Sequence, residues 1–307
     1  MKRIVFILFL TLEVFAFPKR DLIWEELLRA YVPSHCGKNA YHSQYEGKWS
    51  KRIVGGESAR TGEWPWLATL RIKMNQSSPF EHLCGATLIQ DQWLISAAHC
   101  FENIWAPFLT DRPDAWRVRL GEHHLFEEDT EHVEMKPTKI IFHPERIAGK
   151  TLDRDIALIK LERPVNLNNI VNIACLPEQD ESPSVNKMCV TAGWGHTIEA
   201  GNVSTIVRHV LVPILHNRVC NEMYGVIEKA KLEISDKIVC AGYDKGGKDA
   251  CQYDSGGPMV CYDRGNSQFV LHGIVSTGYG CARPGFPGIY TRVSSFVDWI
   301  RKTIAEN

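Results

Sequence analysis

The segment Asp254–Pro258 reads Asp-Ser-Gly-Gly-Pro and places Ser255 on a turn next to two glycines, which makes it a candidate nucleophile. A serine hydroxyl is a weak nucleophile unless a general base removes its proton. It also needs hydrogen-bond donors that stabilise the oxyanion formed when it attacks a carbonyl carbon. The segment therefore predicts acyl-transfer chemistry, with a base and an orienting carboxylate elsewhere in the chain.

His99 and Asp155 are the candidates for that base and that carboxylate. His99 lies in Ser96–Cys100 at the end of a strand-like run, where its imidazole could face a cleft. Asp155 directly precedes the apolar run that continues to Leu161. A buried acid at such a position has few roles other than orienting a base. Asp153 lies two residues earlier in a polar loop and is the alternative. Asp155 is preferred because it directly precedes the apolar run.

The elements that must position these residues are short strands. From Ile53 onward, apolar and β-branched runs alternate with Gly, Pro, Asn and Asp, which predicts an all-β barrel or sandwich. The segment 294–304 has helical periodicity and predicts a C-terminal docking helix. The predicted strand-like runs are Trp66–Ile72, Thr87–Ser96, Trp116–Leu120, Ile156–Leu161, Met188–Gly193, Phe269–Val275 and Gly288–Val293.

Length and charge set the broad class of the protein. The 307 residues, 44% of them hydrophobic, suit one domain of about 250 residues with a short appendage. The formal net charge is −1, and no basic stripe indicates a nucleic-acid partner. Residues 17–52 are too few and too mixed in composition for a separate domain.

The N-terminus and the cysteines predict secretion. A basic start is followed by the apolar run Ile4–Leu12, which indicates a signal peptide over residues 1–16 with cleavage close to Ala16. An uncleaved membrane anchor is the alternative, but it needs about 20 unbroken apolar residues, so no membrane attachment is expected. Ten cysteines, an even number, should be oxidised in that compartment. Asn75 and Asn202 begin glycosylation sequons.

Several motifs together resemble the chymotrypsin/trypsin family of serine proteases over residues 53–307. The family resemblance implies two perpendicular six-stranded antiparallel β-barrels with the active site between them. It also implies that Ser255 attacks the scissile carbonyl, that His99 transfers the proton, and that Asp155 orients the imidazole. The motifs are Ile53-Val-Gly-Gly56, Ala97-Ala-His-Cys100, Asp155-Ile-Ala-Leu158, Gly193-Trp-Gly195 and Asp254-Ser-Gly-Gly-Pro258.

The same resemblance implies a zymogen. The basic pair Lys51-Arg52 precedes Ile53, and cleavage after Arg52 by another trypsin-like protease would free an ammonium group on Ile53. That ammonium would pair with Asp254, a buried acid beside the nucleophile that needs a cationic partner. An ordinary dibasic loop is the alternative. Residues 17–52 would then be the pro-segment, and residues 53–307 the protease domain.

By resemblance, eight cysteines pair as Cys84–Cys100, Cys189–Cys261, Cys220–Cys240 and Cys251–Cys281, a connectivity that spacing alone does not choose. The two remaining cysteines, Cys36 and Cys175, would tether the pro-segment after cleavage. A monomer of two disulfide-linked chains is therefore expected, and a free Cys36 is the alternative.

Asp249 lies at the position that forms the base of the primary specificity pocket in trypsin-like relatives. A carboxylate there selects Arg or Lys before the scissile bond, whereas a solvated loop acid is the alternative. Gly278 and Gly288 fall where the pocket walls lack side chains. Ser276 belongs to the segment that binds the substrate backbone, and Thr277 stands where the family usually has an aromatic residue.

Tyr253 departs from the family, in which glycine supplies one of two oxyanion N–H groups, the other coming from Ser255. If the position requires a positive φ, holding tyrosine there costs about 1–2 kcal/mol. Loss of one oxyanion donor slows turnover roughly 100- to 1000-fold. The ring should also crowd the leaving-group side and hinder rigid protein inhibitors. An adjusted loop that keeps both N–H groups in place is the other interpretation.

Two further loops carry open alternatives. The insertion 101–117 contains aromatic residues that could either narrow the cleft beside His99 or pack as an ordinary loop core. Glu122, Asp129 and Glu131 lie in a loop that binds calcium in some relatives, although their register matches poorly. No other metal or cofactor is expected.

The sequence thus predicts a secreted, zymogen-activated endopeptidase that acts on proteins or peptides after Arg or Lys, slowly or selectively because of Tyr253. The first rival is an inactive homologue that uses the same fold for binding, favoured by Tyr253 and Thr277. The second rival is a secreted regulator that acts through its pro-segment, and it depends on Cys36 and a weak helical turn.

Overall fold

The computed structural model describes residues 35–41, 45, 56–73, 75, 77–102, 112–127, 132–149, 152–227 and 233–307. The predicted signal peptide and the predicted cleavage site at Arg52 and Ile53 lie outside these residues. Pro33–Asn307 forms one compact unit, and the other unit, Met1–Val32, falls wholly outside the described part of the chain.

Fourteen strands are found in the described residues, and they form two antiparallel sheets. In chain order they are β1 (Glu57–Ser58), β2 (Leu67–Ile72), β3 (Glu81–Gln90), β4 (Trp93–Ser96), β5 (Trp116–Leu120), β6 (Val133–Met135), β7 (Pro137–Phe142), β8 (Ala157–Leu161), β9 (Met188–Gly193), β10 (Arg208–Leu215), β11 (Ile238–Ala241), β12 (Pro258–Asp263), β13 (Gln268–Thr277) and β14 (Gly288–Arg292).

The first sheet has the order β6-β5-β2-β3-β4-β8-β7. Strands β6 and β7 are separated only by Lys136 and act as two halves of one bent strand. One half pairs with β5 and the other with β8, so the bent strand joins both edges of the sheet. Counted in this way, the sheet is a closed six-stranded barrel, as the family resemblance predicts.

The second sheet has the order β1-β10-β11-β14-β13-β12-β9, and a further pairing between β10 and β9 closes it into a ring of six strands. Strand β1 lies outside this ring and pairs with β10 through Glu57 and Ser58. The all-β, two-barrel fold class is therefore confirmed. Closure satisfies the backbone groups that open sheet edges would leave unpaired.

Alternating burial explains why these segments form barrel strands. In β5, Trp116, Val118 and Leu120 are buried, while the two intervening arginines are half-buried. The predicted bounds of β5 and β9 match the structure. The predicted run Thr87–Ser96 is instead split between β3 and β4 by a turn at Asp91 and Gln92, because the strand reverses there to form a hairpin.

Two α-helices lie among the described residues. Helix α1 (Asn217–Tyr224) begins after His216, whose side chain accepts a hydrogen bond from the Arg218 N–H. Helix α2 (Val297–Glu306) follows a short 3-10 turn and buries Val297 and Ile300 against the core, as its periodicity predicts. No helix in the described part of the chain is long and apolar enough to cross a membrane.

All five predicted disulfides are present: Cys36–Cys175, Cys84–Cys100, Cys189–Cys261, Cys220–Cys240 and Cys251–Cys281. The alternative of a free Cys36 is therefore wrong. Hydrogen bonds also hold the predicted pro-segment near Cys36, because Gly37 N–H donates to Ile173 O and Phe269 N–H donates to Gly37 O. Farther along the predicted pro-segment, Tyr45 is buried beside Phe269, with ring centroids 5.1 Å apart.

Candidate active site

His99 and Asp155 meet because the strands beside them pair. His99 lies in a one-turn 3-10 helix, Ala98–Phe101, directly after β4, and Asp155 lies two residues before β8. Strands β4 and β8 are antiparallel neighbours with Ser96 opposite Ala157. This register brings the end of one strand to the start of the other.

The imidazole of His99 is held by the Asp155 carboxylate. His99 Nδ1 lies 2.7 Å from Asp155 Oδ2, and the His99 backbone N–H donates to Oδ1 at 2.9 Å. The two bonds fix both the side chain and the backbone of the histidine. With Nδ1 as the donor, Nε2 is left as the basic nitrogen. Asp153, the alternative, instead accepts a hydrogen bond from Ser235 Oγ.

Both members of this pair have shifted pKa values. Asp155 is 2% exposed, and burial alone would raise its pKa. The charge and hydrogen bond of His99, the hydroxyl of Ser276 and the charge of Arg146 outweigh burial and lower it to about 2. Burial lowers the pKa of His99, but the charge and hydrogen bond of Asp155 outweigh burial and raise it.

Ser255 comes from the second barrel, on the loop just before β12. It lines one pocket together with His99 and Asp155, which belong to the first barrel. The following residue must be glycine: Gly256 has a φ of 80°, and a Cβ there would lie 2.1 Å from Ser96 Oγ. The Gly85 N–H also donates to Ser255 O at 2.8 Å, which ties the serine loop to β3.

The backbone N–H groups of Tyr253 and Ser255 have no hydrogen-bond acceptor among the described residues. The Gln252 carbonyl accepts from the His196 N–H at 3.0 Å. In the trans Gln252–Tyr253 peptide the N–H points away from that carbonyl, so the Tyr253 N–H faces away from His196. Two unpaired N–H groups beside a serine can stabilise an oxyanion.

Tyr253 adopts the left-handed conformation that glycine usually occupies, with a φ of 73°. Its ring lies 5.1 Å from the ring of His196 and 6.2 Å from that of His82, measured between centroids. His82 Nε2 also lies 3.0 Å from the Tyr253 carbonyl oxygen. These contacts offset part of the free-energy cost of the left-handed backbone conformation.

Asp249 lines the same pocket as Ser255, in a cavity of about 360 Å³ whose wall also contains Ser276, Gly278 and Gly288. Its carboxylate accepts hydrogen bonds from the N–H groups of Ala250 and Ala282. Burial raises the pKa of Asp249 to about 7, although these N–H groups lower it. A Cβ on Gly288 would lie 2.5 Å from Asp249 Oδ1, so this wall leaves no room for a side chain.

Asp254 turns its carboxylate toward the loop Gly193–Gly195. It accepts hydrogen bonds from the Gly195 N–H at 2.7 Å and the Cys251 N–H at 3.0 Å. A Cβ on either glycine of that loop would lie 2.2 Å from a carboxylate oxygen, which explains the two glycines. Within the described residues no cation contacts this carboxylate, and burial raises its pKa to about 6. Arg52 and Ile53 lie outside those residues.

The structure also brings in residues that the sequence interpretation missed. His82 reaches the Tyr253 carbonyl across 171 positions of the chain. Arg146 lies 3.7 Å from Asp155 Oδ1. The predicted substrate-binding residue Ser276 directs its hydroxyl to Asp155 Oδ2, at 2.5 Å. No local sequence signal points to these contacts, because each partner lies on another loop or strand.

The two open loop alternatives are partly answered. Trp116 is fully buried and packs on Phe101, with ring centroids 4.7 Å apart, so this aromatic residue belongs to the core. The other residues singled out in the insertion, Ile104, Trp105 and Phe108, lie outside the described residues. Glu122 is buried against Arg119, while Asp129 and Glu131 also lie outside the described part. No group of three metal-binding side chains is found among the described residues.

Comparison with known proteins agrees with this geometry. A family model described as Trypsin matches residues 53–300. Transmembrane protease serine 9 of Rattus norvegicus is 38% identical over 255 residues, which is 83% of this chain and 22% of that protein. The chain therefore spans about a fifth of the length of this relative.

Proposed function

Because the chain belongs to the trypsin family of serine proteases, we propose that it is a secreted endopeptidase that cleaves proteins or peptides after Arg or Lys. The observation that carries the proposal is a single pocket, which is lined by His99, Asp155, Ser255 and Asp249. Within it, the His99 imidazole is bonded to the Asp155 carboxylate. The first three residues can make an acyl-enzyme, and the last can select a cationic side chain.

In the proposed mechanism, Ser255 Oγ attacks the scissile carbonyl while His99 Nε2 accepts its proton. Asp155 holds Nδ1 as the donor and stabilises the imidazolium that forms. His99 then returns the proton to the leaving amine, and a water molecule repeats the sequence to release the acyl group. Among the described residues Ser255 Oγ makes no hydrogen bond, and such bonds commonly tighten only when substrate binds.

The N–H groups of Tyr253 and Ser255 are the proposed oxyanion donors, because both lack an acceptor among the described residues. Gly278 and Ser276 are proposed to contact the substrate backbone. Asp249, with its pKa of about 7, would ionise fully on pairing with an Arg or Lys side chain. That coupling favours substrates that carry a cation into the pocket.

Activation is proposed to follow cleavage after Arg52 by another trypsin-like protease. The new Ile53 ammonium would enter the cavity of about 110 Å³ that Gly56 and Asp254 line. Ile53 is three residues before Gly56, so its ammonium can lie at most about 10 Å from Gly56. The Asp254 carboxylate lines the same cavity as Gly56. A cation there would remove the cost of the buried charge on Asp254, whose pKa is raised to about 6.

The cleaved protein is proposed to remain a monomer of two chains joined by Cys36–Cys175. Secretion is proposed from the apolar N-terminal run and from ten cysteines that all form disulfides. Asn75 and Asn202 are exposed and are proposed glycosylation sites. Calcium binding near Glu122 remains a hypothesis.

The test is hydrolysis by the purified full chain before and after cleavage at Arg52. Small amide substrates ending in Arg or Lys should be hydrolysed only after cleavage, and not by the Ser255→Ala variant. A non-reducing gel should show one species and a reducing gel two. Activity of the cleaved chain no higher than that of Ser255→Ala would refute the proposal, and preference for aromatic residues would refute the role of Asp249.

A second candidate is an inactive homologue that binds proteins without cleaving them. The left-handed Tyr253 and the exposed Thr277, in place of the family's aromatic residue, favour it. The same assay decides between the two, because a binding protein would show no difference from Ser255→Ala on any substrate.

A further inference from the structure

The guanidinium of Arg146 lies next to the carboxylate of Asp155, which is proposed to orient His99. The side chain of Arg146 is 7% exposed, and its Nη2 lies 3.7 Å from Asp155 Oδ1. Its Nη1 donates to the Asp153 carbonyl oxygen at 3.2 Å, on the segment that leads into Asp155. The guanidinium is therefore anchored to both the charge and the backbone of this segment.

Glu102 neutralises that cation from the other side. It accepts two parallel hydrogen bonds from Arg146, from Nε to Oε1 and from Nη2 to Oε2, each at 2.9 Å. Such bidentate pairs fix orientation as well as charge. Glu102 follows directly on the one-turn helix that carries His99, and its N–H donates to the His99 carbonyl at 3.2 Å.

The ion pair thus links the two segments that carry His99 and Asp155. Glu102 continues the histidine segment, and Arg146 contacts the aspartate segment through both a carboxylate and a carbonyl. The bidentate pair between Glu102 and Arg146, together with the contacts of Arg146 to Asp153 and Asp155, resists displacement of one segment relative to the other. Such a displacement would lengthen the bond between His99 Nδ1 and Asp155 Oδ2.

We propose that Arg146 and Glu102 are a pair of positioning residues that hold the Asp155 carboxylate against His99 and balance the charge around the imidazole. The proposal deepens the proposed endopeptidase function and depends on it for its catalytic meaning. Neither residue touches the reacting atoms. Both act through Asp155 and His99.

The charges around His99 make the proposal specific. Asp155 raises the affinity of the imidazole for a proton, Arg146 lowers it, and Glu102 raises it. Ser276 adds a neutral hydroxyl to Asp155, and Arg154 is engaged with Glu145 and Asp153. Removing one charge of the pair should therefore move the pKa of His99 in one direction, and removing the other should move it in the opposite direction.

The test is an NMR titration of the His99 imidazole in the full chain carrying Ser255→Ala, which prevents self-digestion. The signal of labelled His99 is assigned by its absence in His99→Gln. Arg146→Met should raise the pKa of His99 by about half a pH unit to one pH unit, and Glu102→Gln should lower it by a similar amount. The double variant should return it close to the starting value.

Matched controls separate charge balance from general damage to the fold. Glu134→Gln and Arg301→Met make the same chemical changes in ion pairs that do not contact His99 or Asp155, and should leave the pKa of His99 unchanged. Arg146→Lys keeps the charge but loses the paired hydrogen bonds, so the pKa should stay near that of the parent.

Shifts of the two single variants in the same direction, or no shift, would overturn the proposal. Should Arg146→Met not fold, the downward shift in Glu102→Gln decides alone. In the cleaved chain with Ser255 restored, the acid limb of kcat/KM against pH should follow the NMR values. A cleaved parent without peptidase activity would defeat the proposed function, while the NMR titration would still decide the charge balance.

Discussion

At the scale of single residues, Tyr253 combines an unfavourable backbone with several compensating contacts. A φ of 73° costs a tyrosine about 1–2 kcal/mol, and ring packing against His196 and His82 offsets part of it. The residue is 37% exposed, so part of it is accessible to solvent two positions before Ser255. The backbone N–H remains unpaired among the described residues, as an oxyanion donor requires.

Replacement of Tyr253 by glycine separates the effect of the ring from that of the N–H. Tyr253→Gly in the cleaved chain should change kcat for small Arg substrates by less than about threefold, because the N–H is already free. Affinity for a rigid protein inhibitor should rise at least about tenfold, because the ring no longer crowds the leaving-group side. Steady-state kinetics and inhibitor titration measure both quantities.

The control for this prediction is Tyr253→Phe, which keeps the ring and should behave as the parent does. A gain of roughly 100-fold or more in turnover of small substrates by Tyr253→Gly would show instead that tyrosine displaces an oxyanion donor.

Three aspartates near Ser255 show how the partner of a carboxylate decides its pKa. Asp155 faces His99 and Arg146, and its pKa falls to about 2 despite burial. Asp249 and Asp254 accept only backbone N–H groups in the described structure, and burial raises their pKa values to about 7 and about 6. In the proposed mechanism, Asp249 pairs with the cationic side chain of the substrate, and Asp254 pairs with the new N-terminal ammonium.

At the scale of elements, the pocket depends on strand ends rather than on strand interiors. Gly288 begins β14, and Ser276 and Thr277 end β13. Because β13 and β14 pair, Thr277 lies opposite Ile289 and the two ends form one wall. A wall built from paired strands is rigid, so a methyl group added there has few ways to move aside.

Gly288→Ala tests this rigidity. The added Cβ would lie 2.5 Å from Asp249 Oδ1, so the carboxylate or the wall must shift. The variant should bind benzamidine, a small cationic probe, at least about tenfold more weakly, with little change in the thermal midpoint of unfolding. Isothermal titration calorimetry of the cleaved chain measures the affinity.

Gly265→Ala is the matched control, because a Cβ at Gly265 would meet Asp263 Oδ1 at an ordinary distance of 3.4 Å. Equal benzamidine affinity in parent and Gly288→Ala would contradict the role of this wall. The same result would also indicate that the cationic group of benzamidine does not bind at Asp249.

At the scale of the whole molecule, a buried histidine in the second barrel makes stability depend on pH. His272 lies on β13 and is 1% exposed, and neither ring nitrogen has a partner among the described residues. Burial, with the charges of Lys187 and Arg292, lowers its pKa from 6.5 to about 4. The folded state therefore keeps His272 neutral over a pH range in which the unfolded state binds a proton.

Stability should fall as the pH falls from 6.5 toward 4, since the unfolded state gains the proton there. For His272 alone, the free energy of unfolding should be lower at pH 5 than at pH 8 by about 2 kcal/mol. His272→Phe should lack this loss. Urea unfolding of the uncleaved chain at both pH values, with parent and variant compared, isolates the contribution.

The exposed His35 provides the control, and His35→Phe should keep the full acid sensitivity of the parent. If His272→Phe lost as much stability as the parent between the two pH values, the neutral buried histidine would not be the cause.

Much of the fold and the proposed site could be predicted before the structure. Strand-like runs such as Trp116–Leu120 carry the alternation that barrel burial demands, and their bounds matched. Segments with weaker signals were missed, among them helix α1 and the bent strand β6–β7, because their short runs gain stability only from neighbouring strands. The pro-segment cleavage site remains a prediction from sequence.

The sequence by itself determined the proposed catalytic residues, because their chemistry needs a special local setting: Ser255 beside its glycines, and His99 and Asp155 beside apolar runs. Such settings consist of neighbouring residues in the chain, so they can be recognised from the sequence. Only the tertiary structure decided what surrounds them, including Arg146 behind Asp155 and His82 on the Tyr253 carbonyl. The physical reason is that a buried charge or carbonyl takes its partner from whichever loop packs against it, and local sequence does not record that packing.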